Sequence, residues 1–150
     1  MNKIIFIPIF WGILDLLSIG WYAGMNIYKG QIPIVHDIMN GIKNIEAFGF
    51  PNFTFIIYIV ALLYISPVFS GILLILKKKS GLMLSYIQTP FRLILIIPPS
   101  IFFILWPIDS SIEKPMVLGL GFALIFLSET IKVSTLMLWN KRKIHVEQII

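Results

Sequence analysis

The sequence predicts an all-α membrane protein, a four-transmembrane-helix bundle, and three observations predict it. The chain is 58% hydrophobic and only 13% charged, where soluble domains run at about 45–50% and about 25%. Its apolar residues gather in four runs, each close to the roughly 20 residues that carry a helix across a bilayer core. The basic residues collect at the ends of those runs, as membrane topology requires.

The first run spans about Ile4 to Tyr28, the second Phe53 to Leu76, the third Leu82 to Trp106 and the fourth Met116 to Asn140. Together they make one integral membrane domain over residues 1–150, with no length left for a soluble module. The opening "MNKIIFIPIFWGILDLLSIGWYAG" has an apolar run too long for a signal peptide and no small-x-small cleavage site, so it reads as an uncleaved first span. The second run stops at "KKKSG", and "WPIDSSIEKP" supplies the turn between the third and fourth, with Pro115 suited to a first helical position. Lys3, Lys77, Lys78, Lys79, Lys141, Arg142 and Lys143 fall on one side; Lys29, Lys43 and Lys114 fall on the other. That asymmetry predicts cytoplasmic N- and C-termini and a plasma (bacterial inner) membrane location. Trp21, Tyr22, Tyr28 and Trp106 then fall near the outer interface and Trp139 near the inner one.

The outer 29–52 loop carries Val35, Ile38, Ile42 and Ile45 at helical spacing, with Asp37, Asn40, Lys43 and Asn44 between them. This pattern predicts a short amphipathic segment, serving as a lid on the bundle or as a docking surface.

Three spans carry ionisable residues. At about 1.5 Å of rise per residue, Asp15, Arg92 and Glu129 come near mid-span, with Lys132 one turn closer to the cytoplasm. One charge at the bilayer centre costs on the order of 3 kcal/mol, so these groups are expected to face inward and meet. Their formal charges cancel. Polar neighbours line up with them. Trp11, Asp15, Ser18 and Tyr22 make a stripe on the first span; Ser85, Gln88 and Arg92, with Thr89 beside them, make one on the third; Ser128, Glu129, Lys132 and Thr135 make one on the fourth. The planar guanidinium of Arg92 suits a bridge between Asp15 and Glu129. Glu129 and Lys132 can also pair at i, i+3, and Lys132 can snorkel toward the cytoplasmic interface. Small residues at Gly20, Gly24, Gly119, Gly121 and Ala123 are expected to help helix packing.

Prolines interrupt two spans: Pro67 in the second, and Pro90, Pro98 and Pro99 in the third. Each such break frees a carbonyl that needs a new partner in lipid. They are expected to kink the helices or to shape a cavity at the depth of the charges.

Other chemistry is not signalled. There is no cysteine, which removes disulfides and thiolate metal sites. His36 and His145 lack companions at metal-ligand spacing. "GLG" at Gly119 sits inside a span without the strand–turn–helix setting of a dinucleotide site. No cofactor, metal or catalytic set is therefore expected. The net charge of +5 flanks apolar runs, which points to anionic lipid headgroups at the cytoplasmic face rather than nucleic acid.

The function these features predict is that of an accessory or partner-binding membrane subunit, an assembly factor or an immunity-type protein, meeting a membrane-protein partner or a second copy. The alternative is a proton- or solute-coupled transporter working as an oligomer, with Asp15 and Glu129 as carriers and Arg92 as counter-charge. In size and in Asp15 the chain is similar to small multidrug transporters; its long outer loop sets it apart from them. An intramembrane lipid-modifying enzyme is the second alternative.

Overall fold

The computed structural model describes residues 6–95 and 114–147. All regular structure among them is helical: α1 (Phe6–Tyr28), α2 (Val35–Ala47), a single 3-10 turn (Pro51–Phe53), α3 (Thr54–Ile75), α4 (Lys79–Ile94) and α5 (Lys114–Glu147). Three stretches are long and apolar enough to cross a membrane: Phe6–Tyr28, Pro51–Ile75 and Gly119–Lys141. They match the first, second and fourth predicted runs to within three residues at each end. The third run differs. Its helix starts three residues early, at Lys79, and is described only to Ile94. The rest of that run, including Pro98, Pro99 and Trp106, lies outside the described residues, so the described structure holds three candidate spans rather than four.

Three helices end alike. At each, the chain turns into the left-handed region one residue beyond the C-cap, at Gly30 (φ 71°), Gly49 (φ 78°) and Lys77 (φ 55°). Paired backbone bonds close the end, as in Lys78 N–H to the Leu73 carbonyl and Lys77 N–H to the Leu74 carbonyl, both 2.9 Å. This is the Schellman arrangement, which satisfies the last carbonyls of the helix. Glycine takes the position at no steric cost in two of the three; lysine takes it with strain. The compact end lets α4 begin immediately, so α3 and α4 form a tight antiparallel pair.

α1 and α3 meet along a seam of glycine. A Cβ built on Gly12 would lie 2.6 Å from the Gly71 carbonyl oxygen, and one built on Gly71 would lie 2.9 Å from the Gly12 oxygen. Only hydrogen fits at either place, and the two backbones touch. Gly81 sits the same way against the backbone of Leu73 and Leu74, where α4 turns back along α3. The glycines singled out from the sequence do not do this. A Cβ at Gly20, Gly24, Gly119 or Gly121 would meet nothing within 4 Å, and Ala123 is exposed. These small residues face outward, so the packing role expected of them passes to Gly12, Gly71 and Gly81.

The apolar core, Trp11, Leu74, Leu82, Leu136 and Trp139, closes the end of the bundle that carries Lys77 to Lys79. Trp139 is part of that core at 5% exposure and is not an interfacial belt residue. Trp21 and Tyr28 are exposed, as a belt position requires. Pro67 is accommodated inside α3. The carbonyl it frees, that of Leu63, accepts a 3.0 Å bond from the Ser66 hydroxyl.

At the opposite end, α2 packs on α3 through Ile38, Gly41, Ile42 and Ile45, all half-buried. Gly41 is pressed against Ile57. Val35, expected on this face, is exposed. It stands at the first residue of the helix, beside Ile34, whose φ of 69° is a left-handed outlier for a β-branched residue.

Candidate functional site: a buried charge cluster

The inward stripes of α1, α4 and α5 meet above the apolar core. Asp15, Ser85, Gln88, Arg92, Ser128, Glu129 and Lys132 are all buried, none more than 4% exposed. Trp11 lies at the lower edge of this zone and Tyr22 above it, half-buried.

The four charges form two pairs. Lys132 Nζ donates to both oxygens of Asp15, at 2.7 and 2.6 Å, the short range of charge-assisted bonds. Arg92 Nη1 lies 3.0 Å from Glu129 Oε1, an ion pair without the alignment of a hydrogen bond. The other Glu129 oxygen accepts from the Thr89 hydroxyl at 3.0 Å. Both oxygens of each carboxylate are thus engaged. The arrangement differs from the expected Arg92 bridge, because Lys132 holds the Asp15 carboxylate. Lys132 does not snorkel: at 2% exposure it stays in the interior, and it reaches across to α1 rather than back to Glu129. The physical reason is distance. An escaping lysine would leave Asp15 without its contact cation, at a cost of several kcal/mol.

The remaining stripe residues divide by role. Trp11 Nε1 donates to Thr135 Oγ1 at 2.8 Å, tying α1 to α5 one turn below the Asp15–Lys132 pair. Ser18 and Ser128 turn back to carbonyls of their own helices, Asp15 O at 2.9 Å and Ile125 O at 3.2 Å. Gln88 Oε1 accepts from Ser70 on α3 at 3.2 Å, a partner the sequence stripes left out. Pro90 lies inside α4 on an exposed surface, between Thr89 and the buried Arg92.

Tyr22 works at the outer end rather than in the cluster. Its hydroxyl donates to the Asp37 carboxylate and accepts the Ile34 N–H at 3.1 Å. Its ring stacks on Tyr64 at 5.2 Å. Tyr64 lies on α3, so this stack ties α1 to α3 beside the Tyr22–Asp37 bond. Tyr64 carries no sequence signal, being one aromatic residue in an apolar run.

Among the described residues no group of His, Asp or Glu has the makings of a metal site. The class that fold and site define is an all-helical protein with three helices, among the described residues, long and apolar enough to cross a membrane, and with a paired charge cluster supplied by α1, α4 and α5. Searches of family models, of curated proteins and of solved structures find no match to the chain.

Proposed function

We propose that the chain is an accessory, partner-binding protein of the plasma membrane: four spans, both termini in the cytoplasm, basic ends on anionic headgroups, and α2 outside as the contact for a membrane-protein partner. One observation carries this reading. Asp15, Lys132, Arg92 and Glu129 are engaged with one another inside the bundle, at 3% exposure or less. A carrier needs an acidic group that can be offered to its cargo and withdrawn. Here both Asp15 oxygens are held by one ammonium. Interior charges closed on themselves fit a scaffold, and α2 presents Asn40, Lys43, Asn44 and Glu46 as an exposed polar face.

The test has two arms. A photo-crosslinking side chain at Lys43, with one at the exposed Leu62 of α3 as control, is activated in native membranes. The expected result is one discrete polypeptide adduct at Lys43 and none at Leu62. In the second arm, proteoliposomes of the full chain are assayed for proton flux, and no flux above empty vesicles is expected. Flux that Asp15→Asn abolishes would overturn the proposal in favour of the carrier. Absence of any Lys43 adduct would remove α2 as the docking surface.

A further inference from the structure

The inward face of α4 holds two polar groups that the charge pairs do not use. Ser85 is 1% exposed and Gln88 3%. Neither Ser85 Oγ nor Gln88 Nε2 has a hydrogen-bond partner among the described residues. The Gln88 amide cannot be rescued by turning it over. Its Oε1 takes the Ser70 hydroxyl; after a flip Nε2 would take Ser70 and Oε1 would be left open. Ser85 also departs from its neighbours. Ser128, Thr130 and Thr135 all bond back to a carbonyl of their own helix, the usual refuge of a helical hydroxyl. A buried hydroxyl or amide left without a partner destabilises the fold.

Spacing and charge decide what would satisfy them. Ser85 and Gln88 stand at i, i+3, so their Cβ atoms are about 5–6 Å apart on one face. Two hydrogen bonds of about 2.8 Å through one small molecule span such a gap. The occupant must accept from an amide N–H and also bond a hydroxyl. An anion would meet the first demand. However, the surrounding charges already cancel, and an extra uncompensated charge inside a bilayer is strongly disfavoured. A neutral molecule the size of water is favoured.

We propose that Ser85 and Gln88 form a buried water site on α4, beside the charge cluster. The site holds exchangeable water within the bundle and gives the two ion pairs a polar neighbour that lipid cannot supply.

The test uses the full chain, isotopically labelled and reconstituted in lipid. Water-edited solid-state NMR follows magnetisation passing from water to the Gln88 side-chain amide. Rapid transfer to Gln88 is expected, with none to Leu74 and Leu136 in the apolar core. Ser85→Ala should at least halve that transfer and lower Tm. No transfer in the wild type overturns the site, whatever the variant does. Transfer unchanged in Ser85→Ala overturns the shared site. A Tm that holds or rises in Ser85→Ala does so too, since deleting a dry, partnerless hydroxyl relieves the protein. The wild-type measurement stands even if the variant fails to fold.

Discussion

Lys132→Met is the sharpest single perturbation of this structure. It keeps the unbranched stem and removes the ammonium, leaving the Asp15 carboxylate at 0% exposure without the cation that bonds both its oxygens. Breaking a buried pair from one side costs about 3–5 kcal/mol. Against a total stability of about 5–15 kcal/mol, it is a large share. The companion variant Asp15→Leu with Lys132→Met removes both charges and should recover most of the loss, because well-packed apolar residues often equal or better a buried pair. Unfolding in mild detergent, followed by tryptophan fluorescence, gives the four corners of a double-mutant cycle. A coupling of about 2 kcal/mol or more is expected. If Lys132→Met lost less than about 1 kcal/mol, water or another cation must reach Asp15, and the closed pair described here would be refuted.

Three further outcomes follow from geometry. Lys77→Gly should raise stability by about 0.5–1 kcal/mol, because Lys77 holds φ 55° at the end of α3 where glycine carries no Cβ strain; equilibrium unfolding checks it. Tyr22→Phe removes both the bond to Asp37 and the acceptor for Ile34 N–H. It should cost about 1–2 kcal/mol locally, seen as faster hydrogen exchange over Ile34 to Ala47 with the α1–α3 seam unchanged. Gly12→Ala would press a methyl to 2.6 Å from the Gly71 carbonyl oxygen, an overpacking of about 1–3 kcal/mol. The matched Gly20→Ala, with open space around it, should be neutral or stabilising by up to about 1 kcal/mol. Equal effects from the two glycines would place the α1–α3 seam elsewhere.

The parts of this arrangement that the sequence makes legible are those where lipid leaves no choice. A charge cannot face hydrocarbon cheaply, so Asp15, Arg92 and Glu129 fix the inward side of their helices, and polar residues at helical spacing follow. Pairing is another matter. Arg92 and Lys132 are cations at similar depth, and which carboxylate each meets depends on the rotation and order of the helices, which no spacing encodes. Glycine shows the same limit in reverse. Gly20 and Gly24 stand at the spacing that favours helix association, yet they face away from the bundle. Gly12 and Gly71 belong to no motif and make the closest contact. The lysine run marks the end of α3 as expected, at Leu76, but the chain needs only Leu76 to Lys78 to reverse, so α4 begins at Lys79 rather than at Leu82.

The placement of α5 joins these observations. α3 packs on α1, α2 and α4, while α5 packs chiefly on α4 and α1. The α1–α3 and α3–α4 contacts are backbone against backbone, made close by Gly12, Gly71 and Gly81. Where α5 is concerned, the described glycines Gly119 and Gly121 contribute no such approach. It is held instead by Glu129 to Arg92 and Thr89, Lys132 to Asp15, and Thr135 to Trp11, above the plug of Leu136 and Trp139. Residues 129, 132 and 135 advance by three, and at about 100° per residue each step turns the contact by about 60° around the helix axis. One step therefore carries the polar face from α4 to α1, which is the change of partner observed between Glu129 and Lys132. Lipid tails solvate leucine as well as another helix does, so apolar contact alone would not choose the rotation or register of α5. A slide of one turn would strand two buried carboxylates. The charges select one position of α5 by making its neighbours costly, and in doing so they leave no carboxylate oxygen of the pairs uncommitted.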